Sequence, residues 1–114
     1  MKKPAIIIVL VLLSTIGFSQ TKKDSTLLVK TSAVCDMCKQ RIEQGMAFEK
    51  GIKDIVLDTA TKVATVRYAI ARTNPDNIRK AISKLGYDAD GLPADPKAYE
   101  KLPACCKKDA KKHK

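Results

Sequence analysis

The sequence contains no tryptophan, three tyrosines, two phenylalanines and a single histidine among 114 residues. So few aromatic rings leave no platform on which the bases of a single strand can stack. The formal net charge of +10 is mostly lysine and gathers toward the end of the chain, without an arginine-rich stripe. Basic charge without stacking residues reads as a solvated surface that keeps the chain soluble. Nucleic acid is therefore not an expected partner. The one histidine, His113, sits in the basic end. It is expected to be solvated unless a metal held near Cys105 and Cys106 recruits it.

The chain also lacks an apolar run long enough to span a bilayer. Ala5 to Leu13 is unbroken apolar sequence, yet even extended to Phe18 it falls short of the ~20 residues a spanning helix needs. Lys2 and Lys3 precede it, and Gly17 and Ser19 stand where a processing site wants small residues. This is the pattern of a secretory signal peptide over residues 1–19. The expected location is periplasmic or secreted, with membrane contact only if the segment stays uncleaved. No cysteine closely follows the run, so a lipid-modified cysteine at a new N-terminus is not supported.

Four cysteines are present: Cys35 and Cys38 in "SAVCDMCKQRIE", and the vicinal pair Cys105 and Cys106 in "LPACCKKD". The first pair follows a strand-like run and opens a helix-like one. Thiolates suit soft ions such as Cu(I), and a helix N-terminus lowers a thiol pKa toward the ionised ligand form. No His or carboxylate is held nearby by the pattern, so two sulfurs would give a low-coordinate ion, open to attack by a partner's thiol. A thiol–disulfide oxidoreductase shares the C-x-x-C spacing, but the Trp before the pair and the Pro within it are both missing. A disulfide-braced structural module is the third reading, since an even cysteine count in an exported chain permits bridges. Bonding Cys35 to Cys38 closes a very short loop and would stabilise little. A four-cysteine zinc site would ordinarily carry two C-x-x-C pairs, whereas Cys105 and Cys106 are adjacent. Adjacent Cα atoms lie only about 3.8 Å apart, too close for an unstrained mutual disulfide. Those two thiols remain additional candidate ligands. Met37, between the first pair, is assigned to packing or exposure rather than ligation.

Around these cysteines the periodicity is readable. Thr26 to Ser32 reads as a strand. Ile42, Met46 and Ala47 fall at helical spacing, with a stop near Gly51. Ile52 to Asp58 and Val63 to Ala69 form a hairpin around Thr59–Lys62. Asn74 caps a second helix with Pro75 at its first position, Ile78, Ala81, Ile82 and Leu85 line one face, and Gly86 ends it. Tyr87 to Ala89 can form a short last strand. The order predicts an α+β, ferredoxin-like βαββαβ fold: a four-stranded antiparallel sheet with two helices on one face. The domain is expected over residues 26–92. Residues 93–114, rich in Pro and Lys, are expected to form a flexible basic tail, with one helical turn near Ala98 to Lys101.

Taken together, residues Leu27 to Ala89 resemble a heavy-metal-associated domain, the family that includes copper chaperones, domains of copper-exporting ATPases and periplasmic mercury-binding proteins. The resemblance rests on Cys35-x-x-Cys38 after the first strand, "IKDIVLDTATKVATVRY" as central hairpin and "IRKAISKLGYDAD" as second helix and exit. It implies binding of Cu(I), with mercury, silver or zinc as other ions, through Cys35 and Cys38. It further implies non-enzymatic transfer by thiol exchange to a membrane metal transporter or another metal-binding domain. The family usually carries Gly-Met where this chain has Ser32 and Ala33, a departure that bears on loop rigidity rather than ligation. Tyr87 stands where the family places a residue beside the metal loop, as shield or as core.

Overall fold

Alternating side chains build the sheet. In the computed structural model, which describes residues 23–108, β1 (Asp24–Lys30), β2 (Ile52–Asp58) and β3 (Val63–Ala69) pair antiparallel in the order β1-β3-β2. Successive strand residues point to opposite faces. Val29, Ile55, Leu57, Ala64, Val66 and Tyr68 are buried on one face, while Leu28 and Val56 on the other are 63% and 52% exposed. Asp58 closes the β2–β3 turn by accepting the Ala60 N–H at 2.8 Å. The hairpin matches the expected one residue for residue. The expected signal peptide and His113 lie outside the described residues.

Two helices cover the buried face. Helix α1 (Asp36–Ala47) turns Cys38, Ile42 and Met46 inward, the four-residue recurrence of one helical face. In α2 (Pro75–Lys84) the Asn74 side chain accepts the Asn77 N–H at 2.8 Å, and Ile78, Ala81 and Ile82 are buried. These residues join Val29, Leu57 and Val66 in one core cluster. With the opposite face open, both helices lie on the same side, as the ferredoxin-like arrangement requires. They approach closely at Gly45, where a Cβ would stand 2.7 Å from the Leu85 side chain.

The fourth strand is the main difference from expectation. Tyr87–Ala89 does return beside the free edge of β1, but pairing is reduced to a single bridge between Thr31 and Ala89. Asp90 explains the loss. Its backbone N–H donates to Lys30 O at 2.7 Å, while its carboxylate accepts the Lys30 N–H at 2.9 Å. A side chain thus takes the place of the next ladder carbonyl. Asp90 also adopts φ +53°, and the chain folds straight back so that Ala89 bridges Leu92. The described sheet therefore has three strands.

The expected flexible tail is, over residues 93–108, a packed part of the fold. Asp95 caps α3 (Pro96–Glu100) by accepting the Ala98 N–H at 3.0 Å, with Pro96 at the first position. Ser83 Oγ donates to Pro93 O at 2.8 Å and Ser83 O accepts the Asp95 N–H at 3.0 Å, tying the segment to the end of α2. Leu102 is buried in the core cluster. Lys108 then donates its N–H to Tyr99 Oη at 2.9 Å and pairs with Asp88 at 2.8 Å. Gly86, at φ +103°, allows this approach, because a Cβ there would lie 3.0 Å from Ala98 O. Held in this way, the chain delivers a 3-10 turn, Ala104–Cys106, to the start of α1.

Candidate metal centre

The loop before α1 is held from three sides. Thr31 Oγ1 donates to Lys62 O at 2.8 Å and accepts the Ala33 N–H at 3.2 Å, while Ser32 Oγ accepts the Asp88 N–H at 2.9 Å. Ala33 is fully buried. These contacts fix the loop where the family usually has Gly-Met. Cys35 occupies the N-cap position of α1 in extended conformation, and Cys38 lies in the first turn. The helix thus begins before Cys38 and places both thiols at its positive end.

All four cysteines are free and come to one place. Cys35 Sγ lies 3.2 Å from Cys38 Sγ and 4.0 Å from Cys106 Sγ, and donates to Cys105 O at 3.3 Å. The sulfurs of Cys35, Cys105 and Cys106 all fall within 4.8 Å of one another. Cys38 and Cys106 are buried, Cys35 is half-buried and Cys105 is exposed. Cys105 Sγ also reaches Met37 Sδ at 3.5 Å. Met37 is 46% exposed, so its side chain stands partly open to solvent.

The electrostatics distinguish the thiols. Burial pushes the Cys35 thiol up, but the backbone N–H of Cys38, the Cys38 thiol, the Met37 N–H and the Cys106 thiol outweigh it and leave Cys35 below the usual thiol value. Those amides favour the anion although none completes a side-chain cap hydrogen bond. Cys106 goes the other way: burial, then the neighbouring Cys38, hold it protonated well above the ordinary range. Of these two thiols Cys35 is the more readily ionised and Cys106 the less, and a thiol that binds a metal gives up its proton.

Tyr87 serves as both core and neighbour of the site. It is fully buried, and its hydroxyl has no hydrogen-bond partner among the described residues. Burial, followed by the nearby Cys106 and Cys38 thiols, raises its pKa far above normal. A neutral thiol is a weak acceptor, whereas a thiolate is a strong one. The unused O–H therefore suits sulfurs that become anionic. An all-sulfur donor set with a spare buried donor fits a soft cation.

Sequence reasoning missed what seats the tail: Ser83, Asp95 and Leu102. Asp95-Pro96 repeats the cap-plus-proline signal of Asn74-Pro75 and could have marked α3. Nothing in the linear pattern showed where that short helix docks.

Known proteins share this sequence pattern and fold. A copper-exporting P-type ATPase of Staphylococcus haemolyticus is 34% identical over 91 residues, which make up 80% of this chain and 11% of the ATPase. The solved water-soluble region of the P-type ATPase CopA from Bacillus subtilis is similar at 30% identity and a TM-score of 0.56, covering 61% of this chain and 47% of that one. The CopZ metallochaperone matches in fold, with a TM-score of 0.55 at 20% identity over 57% of this chain and 98% of its own. The heavy-metal-associated domain matches residues 30–88, from the end of β1 through both helices to the fourth-strand segment, and the chain belongs to that family.

Proposed function

We propose that this protein is an exported, non-catalytic binder of a soft metal ion, Cu(I) foremost, with mercury, silver and zinc as competitors. Cys35 and Cys38 are its primary ligands and Cys106 is the third sulfur. The observation that carries the reading is the convergence of Cys38 and Cys106 on Cys35, at 3.2 and 4.0 Å, beside the start of α1. Support for copper comes from the donor chemistry, since thiolates select soft ions, and from the copper-exporting ATPase among its relatives.

Transfer would proceed by exchange: a partner's thiolate binds the ion as one protein sulfur lets go. A membrane metal transporter or another metal-binding domain is the partner class. In this chain the buried Cys106 would fill a coordination position that a bare pair leaves open to an incoming sulfur. The bound ion is therefore held more tightly than by a bare C-x-x-C pair, and trapping is favoured over rapid hand-over.

The test is anaerobic titration of the reduced protein with Cu(I), Ag(I), Hg(II) and Zn(II) against a competing chelator. The expected result is tight binding that replacement of Cys35 and Cys38 by Ser abolishes, with the far-UV circular dichroism kept. Tight binding that survives in the double variant would overturn the ligand assignment. Catalysed thiol–disulfide exchange without tight metal binding would favour the oxidoreductase alternative.

A further inference from the structure

The sulfur donors of the centre fall into two groups that share Cys35. On the buried side stand Cys38 and Cys106, at 0% and 1% exposure. On the open side stand Cys105 and Met37, both exposed, with Cys105 Sγ 3.5 Å from Met37 Sδ. Cys35 is half-buried between them, within 4.8 Å of the Cys105 and Cys106 sulfurs. Five sulfurs exceed what one low-coordinate soft ion uses. The outer pair stands open to solvent, an exposed thiol against an exposed thioether.

We propose that Cys105, Met37 and a bridging Cys35 form a second soft-metal position at the mouth of the centre, so that one chain holds two Cu(I)-class ions joined by a thiolate. The proposal rests on the buried position being the one described above. Its chemistry balances. A thiolate has more than one lone pair, so Cys35 can bind both ions without losing a further proton. Cys105 releases its thiol proton to solvent as its sulfur binds, and Met37, a neutral thioether, releases none. The second ion therefore adds one metal charge and removes one proton charge, leaving the net charge of the chain unchanged. Being exposed, the outer pair meets an arriving ion first, and the shared Cys35 connects it to the buried position.

Native mass spectrometry of the full reduced chain, titrated anaerobically with Cu(I), tests this directly. Two ions on the monomer are expected, the second bound more weakly, with a metal–metal vector in the X-ray absorption spectrum of the two-ion form. Met37→Leu and Cys105→Ser should each reduce the count to one. With selenomethionine at the methionines, a selenium–copper vector should appear in the two-ion form and vanish in Met37→Leu. A wild-type chain that binds one ion tightly and no second would overturn this inference while leaving the proposed function standing. So would two ions found only on a dimer, or two ions kept by both variants. A chain that binds no ion tightly would sink the proposed function along with it.

Discussion

Cys106 Sγ lies 4.0 Å from Cys35 Sγ across 71 residues of sequence. The contact depends on the docked segment between them: α3 capped by Asp95, Leu102 buried in the core, and Lys108 paired with Asp88 at 2.8 Å. A third thiol tethered at the site acts at a high effective concentration, because its arrival is intramolecular. On the proposed reading, an ion bound to Cys35 and Cys38 would meet this third sulfur before a partner's thiol reached it.

Truncation after Leu102 removes both tail thiols and keeps the buried anchor. The truncated protein should lose Cu(I) to a chelator faster than the full chain, or carry fewer ions per molecule. Equal affinity, stoichiometry and release rate in the two proteins would show that Cys105 and Cys106 do not serve the site.

Gly86→Ala tests how the tail is seated. At φ +103°, with Ala98 O 3.0 Å from the new Cβ, alanine must bear a left-handed backbone and push α3 away. The backbone term alone is about 1–2 kcal/mol. A lower urea midpoint is expected, together with faster amide exchange over residues 95–106 than in wild type. If tail exchange and midpoint both stay at wild-type values, the segment is not seated through Gly86.

Asp90 should make stability sensitive to acid. Burial pushes its carboxyl up, but the Arg79 guanidinium at 2.8 Å and the Lys30 N–H outweigh this and hold it below the ordinary carboxylate value. A depressed folded-state pKa adds stability above the unfolded value, ~3.9, and that contribution fades as pH falls through the folded value. Asn tolerates the left-handed backbone at this position. Asp90→Asn should therefore be less stable than wild type at neutral pH, with the gap closing in acid. A gap in urea midpoint that stays constant from pH 7 down to strong acid would refute the linkage.

The proposed export predicts a processed N-terminus. Sequencing of the protein recovered from outside the cytoplasm should begin at or near Gln20, following Ser19. An intact Met1 on membrane-retained protein would indicate an uncleaved anchor instead.

Much of the fold was legible because its signals are local. The period-two alternation of β2 and β3, the Asn74-Pro75 start of α2 and the i, i+3, i+4 apolar spacing of the helices each depend on neighbours a few residues apart. The fourth strand was misjudged for a comparably small reason. Its composition permits a strand, but the Asp90 carboxylate takes the Lys30 N–H that a longer ladder would have used.

By itself the sequence determined the element order, the pairing of Cys35 with Cys38 at a helix start, and the presence of two further thiols near the end. Only the tertiary structure decided where those thiols stand. The tail's reach allowed many positions, and the choice was made by distant contacts: Gly86 making room for Ala98 O, Leu102 entering the core, and Ser83 holding Pro93 and Asp95. Periodicity cannot encode such contacts, because each joins residues whose proximity exists only once the core has formed. The same holds for Met37, which reads as an isolated exposed side chain until Cys105 arrives 3.5 Å from its sulfur.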